Sequence, residues 1–224
     1  MGDFISLLYP DICASCGENL YRHESLICTK CLYHIPKTNY HFIKDNPVSR
    51  LFWGRVNLES AAAFYFFDKG SRFRSLIHKL KYRGQKEIGY ELGKIYGQEL
   101  KSSSLFNQAE LVIPIPLHAR KERIRGYNQS DWIAKGIAES MEIEMDSKIM
   151  FRAVDTETQT RKSKYERWKN VENIFQIHDP EKLENKYILL VDDVVTTGST
   201  LEACSHTILG LSGTRVSCVT LAMA

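Results

Sequence analysis

The run Ile188-Leu189-Leu190-Val191-Asp192-Asp193-Val194-Val195-Thr196-Thr197-Gly198-Ser199-Thr200-Leu201 is the part of this chain best suited to chemistry. It reads as a buried apolar strand that ends in two carboxylates, then a bend of hydroxyls and one glycine, then a helix. Buried carboxylates are costly unless they meet a cation or hydroxyl donors, and the diol of a pentose offers such donors. Backbone N–H groups at the bend and at the helix N-terminus favour an anion. Gly198 lets the backbone approach that anion without a Cβ. The expectation is a grip on a sugar phosphate, with Asp192 and Asp193 on the ribose hydroxyls and Thr196, Thr197, Gly198, Ser199 and Thr200 around a phosphate. No lysine follows the glycine, so this is not a Walker A loop.

A second segment, Pro114 to Gln129, carries Arg120, Lys121, Arg123 and Arg125 against the single acid Glu122. Such donors suit a pyrophosphate with its metal; a solvated charged turn is the other reading. Four cysteines, Cys13, Cys16, Cys28 and Cys31, stand as CxxC-x11-CxxC. Two close pairs without an export signal favour a thiolate metal site over disulfides. Four thiolates suit a closed, structural tetrahedral Zn2+, with redox or iron–sulfur chemistry as the alternative.

From Lys69 to Lys86 the sequence holds seven Lys or Arg and no acid, with Phe73 and Tyr82 among them. Lys79, Lys81 and Arg83 are the nucleic-acid candidates, because single strands want charge for the backbone and rings for stacking. An amphipathic helix with Phe73, Leu76, Ile77 and Leu80 inward and solvated charges is the equal alternative, and some of these cations could instead reach the sugar-phosphate site. Trp53, Trp132 and Trp168 read as packing residues, and Cys204 and Cys218 as small core hydrophobes.

The elements that must position these residues follow an α/β pattern. Strands are expected at 61–67, 111–113, 147–154, 174–177, 187–191 and 214–221. Helices are expected at the Phe73–Leu80 and Ile88–Leu100 stripes, at 130–141 and at 198–211. Residues 41–57 read as irregular, and 155–171 as a long loop or frayed helix. Alternating strands and helices imply a parallel sheet with right-handed crossovers. Ligands in such sheets bind at the carboxyl ends of the strands, so the 114–129 and 192–200 segments should share one rim. The last strand should close the sheet. Three regions are expected: 1–40 as a four-cysteine zinc-binding module, 41–109 as a hood or connecting region with the basic helix, and 110–224 as the core.

The chain has 224 residues, 43% hydrophobic and 25% charged, with a net charge of +3. That charge is too small to imply nucleic acid by itself. No apolar run is long enough to span a membrane. Met1 to Leu8 has an apolar patch without a basic region before it, unlike a signal peptide. A cytoplasmic protein is the expectation.

The stretch Val191 to Thr200 resembles the PRPP-binding signature of type I phosphoribosyltransferases, PRPP being 5-phosphoribosyl-1-pyrophosphate. The resemblance implies that fold, an acid pair (Asp192, Asp193) on the ribose, and a hydroxyl loop on the 5-phosphate. It implies that His118, Ala119, Arg120 and Lys121 meet a Mg2+-bound pyrophosphate, and that a lid at Gln159, Arg161, Lys162 and Lys164 excludes water. The order of segments narrows it further: the cysteine quartet, Leu80-Lys81-Tyr82-Arg83-Gly84, Pro114-Ile115-Pro116-Leu117-His118, Arg125-Gly126-Tyr127-Asn128-Gln129, Arg167-x2-Asn170-Val171, and the PRPP motif. That order is similar to the ComF competence-protein family. This likeness implies a role with imported single-stranded DNA in natural transformation, with PRPP, single-stranded DNA and DNA-transport proteins as partners. Two functions stay open: a phosphoribosyltransferase of unnamed acceptor, or a non-catalytic PRPP sensor and scaffold that binds DNA and transport partners through its zinc module and basic helix.

Overall fold

The computed structural model describes residues 11–67, 72–153 and 174–224. Five strands form one all-parallel sheet in the order β1-β7-β6-β2-β3. They are β1 (Ala61–Phe66), β2 (Leu111–Pro114), β3 (Glu144–Met145), β6 (Tyr187–Val195) and β7 (Arg215–Met223). A separate antiparallel pair joins β4 (Met150–Arg152) to β5 (Phe175–Ile177). The parallel sheet is the α/β architecture expected from the sequence.

The central strand is apolar on consecutive residues because both of its faces are covered. Leu189 and Val191 join the cluster formed by α3 (Arg72–Tyr82), α4 (Glu87–Ser102) and α6 (Gln129–Met141). Ile188 and Leu190 join the opposite cluster, with α2 (Pro47–Arg50) and α7 (Ser199–Leu209). Cys204 and Cys218 are buried there as small hydrophobes.

Helices α4 and α6 touch backbone to backbone. A Cβ on Gly93 would collide with the carbonyl of Ile133, and one on Gly136 with the carbonyl of Tyr90. Only glycine permits so close an approach. The inward stripe of α4 is Ile88, Leu92, Tyr96 and Leu100, whereas Ile95 is only partly buried.

Four expectations need correction. Strand β6 does not stop at Val191: it runs on to Val195, because the end of β7 still offers Thr220, Ala222 and Met223 as ladder partners. Strand β7 does not close the sheet but lies inside it, since β1 takes the edge. Residues 41–57 are not irregular throughout: Asn46 caps α2 with a capping box, and Pro47 opens it. Trp53 is not a packing residue but is 61% exposed, beside Arg50.

The four cysteines sit in two reverse turns ahead of and around the start of α1 (Thr29–His34), whose N-cap is Cys28. Cys13, Cys28 and Cys31 are buried in the same apolar cluster as Phe73, Leu76 and Leu80 of α3. The cysteine segment therefore packs on α3. No helix among the described residues is long and apolar enough to cross a membrane.

Candidate functional site

The site is built where β2 ends against β6, with Pro114 opposite Val191, and where β6 runs on past it to Val195. The chain leaving β2 stays tied to β6, because Ile115 N–H donates to the Val191 carbonyl at 2.9 Å. The two segments expected to share a rim do so.

The Arg125-Gly126-Tyr127-Asn128-Gln129 segment ties that rim together. Asn128 caps α6 and donates through Nδ2 to the Ile115 carbonyl at 3.0 Å and to Asp131 Oδ1 at 2.7 Å. The Tyr127 hydroxyl donates to the Leu80 carbonyl of α3. Arg125 donates to Gln129 Oε1 at 2.6 Å. The next residue, Ser130, donates its hydroxyl to Asp192 Oδ1 at 2.9 Å.

The acids have unlike surroundings. Burial, and then the neighbouring charge of Asp193, push the Asp192 carboxyl up to about 7, against the pull of Asp193 N–H, Ser130 and Lys81. Asp193 Oδ2 lies 2.9 Å from Lys81 Nζ, with both side chains mostly buried.

Beyond Val195, Thr196 and Thr197 are exposed and so are Ser199 and Thr200. The hydroxyls of Thr197 and Ser199 lie 3.0 Å apart. Helix α7 has Gly198 as its N-cap, which offers no side chain to its first N–H groups, and uncapped N–H groups of this kind favour an anion. Gly198 has φ +75°, and a Cβ there would lie 2.9 Å from two ring carbons of Phe52. The glycine is needed for its backbone conformation and for the Phe52 ring. Arg55 Nη1 donates to the carbonyls of Thr197 and Leu51, each at 2.9 Å, and Nη2 pairs with Glu202.

The expected pyrophosphate loop is a helix. His118 caps it, and α5 spans Ala119–Arg125, ending at Gly126 with φ +82°. Helix formers fill it, but no apolar stripe announced it: Ile124, its one large apolar residue, is 77% exposed. His118, Ala119, Arg120 and Lys121 thus form an exposed first turn beside the rim. Gln159, Arg161, Lys162 and Lys164 lie outside the described residues, as does Trp168.

The nucleic-acid candidates divide. Lys79 Nζ donates to the Ala14 carbonyl at 2.6 Å, in the cysteine segment. Lys81 turns to Asp193. Arg83 is exposed, next to Tyr82, whose ring is 62% exposed and lies 5.2 Å from the Arg125 guanidinium. Phe73 is fully buried and is no stacking platform. The outward-facing stacking candidate is therefore Tyr82, and two of the three lysine and arginine candidates serve internal contacts.

The cysteine sulfurs lie within 4.8 Å of one another. Cys16 and Cys28 sulfurs are 3.8 Å apart, close to the roughly 3.8 Å edge of a tetrahedron with Zn–S bonds of about 2.3 Å. Burial acts against the Cys13 thiolate, but backbone N–H donors from Cys28, Cys16 and Ser15 outweigh it and bring the thiol down to about 6. The donor set fits a thiolate-binding metal.

Comparison with known proteins agrees with this arrangement. The phosphoribosyl transferase domain family matches residues 132–224. The DNA utilization protein YhgH of Salmonella typhimurium is 28% identical over 213 residues, covering 93% of this chain and 83% of that protein. Competence protein F of Haemophilus influenzae is 31% identical over 134 residues, 58% of each chain. Competence protein ComFC of Bacillus subtilis is 27% identical over 211 residues, covering 91% and 80%. The chain is similar to competence and DNA utilization proteins of the ComF family along most of its length.

The transferase match covers β6, its acids and the hydroxyl bend, but several residues that brace them lie outside it. Lys81, Phe52, Arg55 and Ser130 all precede Trp132. Sequence reasoning gave Phe52, Arg55 and Ser130 no role. Only Ser130 had a usable signal, since it follows the capping residue Asn128 at the start of an apolar-period helix.

Proposed function

We propose that this ComF-type chain binds PRPP at the carboxyl end of β6, beside the end of β2. The observation that carries the reading is the placement of Asp192 and Asp193 directly before a bend of exposed hydroxyls and a helix N-terminus without a side-chain cap. The acids accept from the ribose hydroxyls, and Thr196, Thr197, Gly198, Ser199 and Thr200 surround the 5-phosphate. His118, Ala119, Arg120 and Lys121 stand on the side where the pyrophosphate emerges. By the family resemblance the lid role falls to Gln159, Arg161, Lys162 and Lys164, which lie outside the described residues.

Asp193 already has a cation in Lys81 and Asp192 accepts from Ser130. Mg2+ therefore suits the pyrophosphate oxygens better than a preformed acid cage; bound there, it would neutralise the leaving group's charge. The chain's own part is to orient the ribose and hold the phosphate still. Phosphoribosyl transfer is the reaction class that fits. A PRPP sensor is the alternative, and pyrophosphate release from PRPP and Mg2+ decides between them.

The four cysteines hold a structural Zn2+, since a closed four-thiolate set leaves no open position. The relatives' names refer to competence and DNA utilization. Accordingly we place this chain in the cytoplasmic handling of imported single-stranded DNA, with DNA-transport proteins as partners. A specific observation favours the DNA contact: the exposed Tyr82 ring beside Arg83 and Arg125, next to the basic helix α5.

The test of the PRPP reading is calorimetry on the Asp192→Asn/Asp193→Asn variant. PRPP binding should vanish while metal content stays at about one per chain; unchanged affinity defeats the assignment.

A further inference from the structure

Helix α3 stands between the cysteine segment and the acid pair, and three consecutive residues at its end reach three different parts of the molecule. Lys79 Nζ donates to the Ala14 carbonyl, beside Cys13, at 2.6 Å. Leu80 offers its carbonyl to the Tyr127 hydroxyl. Lys81 Nζ lies 2.9 Å from Asp193 Oδ2. Residues two apart on a helix point about 200° apart around its axis, so Lys79 and Lys81 must face opposite ways. The helix between them cannot bend locally without breaking its own ladder. Its inner face is also fixed, because Phe73, Leu76 and Leu80 are fully buried in the apolar cluster that also holds Cys13, Cys28 and Cys31.

We infer that Lys81 is a binding residue of the sugar-phosphate site and that Lys79 is the positioning residue that places it, by anchoring α3 to the cysteine module. The inference rests on the PRPP reading and deepens it. Lys81 is the cation that allows two carboxylates to stand side by side at a mostly buried strand end, where like charges otherwise repel. The ion pair holds the Asp193 side chain in place, where it can accept from a ribose hydroxyl. Its ammonium is also a fixed positive charge beside the acid pair, and a phosphorylated, strongly anionic ligand benefits from it. Lys79 has no part in that contact. It acts through the seat of α3, which the metal-organised turns provide.

A double-mutant cycle decides this, since residues that act through one another are non-additive. PRPP affinity is measured by calorimetry with Mg2+ for wild type, Lys79→Met, Lys81→Met and the double variant, with metal content and melting temperature followed in parallel. Lys81→Met should weaken PRPP binding by at least about tenfold. Lys79→Met should weaken it about three- to tenfold in the wild-type background and not at all in the Lys81→Met background. Lys79→Arg, which keeps a donor, should restore affinity.

Wild-type affinity in Lys81→Met overturns the inference, and so do effects of the two substitutions that multiply independently. A wild-type chain that binds no PRPP is a different result and sinks the PRPP reading itself. Should Lys81→Met not fold, amine acylation of the wild-type chain followed by mass spectrometry supplies the answer. PRPP with Mg2+ must slow labelling of Lys81 while leaving the exposed Lys30 unchanged; equal rates overturn the inference.

Discussion

The Ser130 hydroxyl and the Asp193 backbone N–H donate to the same oxygen, Oδ1 of Asp192, at 2.9 and 2.8 Å. Asp192 is therefore held from the first turn of α6 and from its own strand. Both donors favour the carboxylate form, yet burial outweighs them and leaves the group near neutrality at about 7. Ser130→Ala removes one donor and shifts the balance further toward the acid form. Its PRPP affinity should fall a few-fold at pH 7, and the midpoint of the affinity–pH curve should move upward. A curve that merely drops without moving assigns Ser130 to α6 alone.

Asp192 also gives a stability prediction with a definite sign. An ordinary aspartate titrates near about 3.9, and here the folded-state value is raised to about 7. Between those values the folded state binds more protons than the unfolded one, so stability falls as pH rises through the window. Asp131, which burial pushes up to about 6, adds to the same slope. Asp192→Asn should flatten that slope in part and raise the melting temperature at pH 8, while PRPP binding is lost. Thermal melts from pH 4 to 8 check it; a variant less stable than wild type at pH 8 contradicts the assignment.

Gly198→Ala introduces two strains at once. An alanine at φ +75° costs about 1 kcal/mol, and its Cβ would press on the Phe52 ring at 2.9 Å. The bend must shift away from Phe52, which moves the hydroxyls of Thr197 and Ser199. Stability should fall by about 1–3 kcal/mol, and PRPP affinity should fall with it. Phe52→Leu in the same chain should recover part of the stability but not the cost of the positive φ. Denaturant melts and calorimetry on the single and double variants test both halves.

Removal of the metal should act beyond the cysteine segment. Cys13, Cys28 and Cys31 share their apolar cluster with α3, so unfolding the turns uncovers Phe73, Leu76 and Leu80. A strong chelator should release about one Zn2+ per chain, lower the melting temperature and speed hydrogen exchange in α3 as well as in residues 11–35. Exchange that changes only within 11–35 would mean that α3 holds its place unaided.

Much of this was legible in the residues. The acid pair, the hydroxyl bend, the cysteine quartet and the shared rim could be read because each is local, or follows from strands being parallel. Helix α5 was hidden because a fully exposed helix has no apolar period to read. The true length of β6 was hidden because it depends on how far β7 runs beside it. Arg55 was beyond reach for another reason, and of Lys81 the residues said only that some cation of the basic stretch could reach the sugar-phosphate site. Their partners, Asp193 and Glu202, lie more than a hundred residues along the chain, and no spacing rule connects such pairs. Trp53 misled because large rings are usually buried, and this one is not.

Gly93 and Gly136 belong to stretches on either side of residue 110, and they let two helix backbones lie in direct contact. A seam of that kind has almost no slack in depth. The segment matching the transferase family therefore cannot be grafted onto a foreign scaffold as a free-standing cassette. Without α4 it would lose the surface against which α6 is moulded, and with α6 adrift the Ser130 end of the pocket would lose its footing.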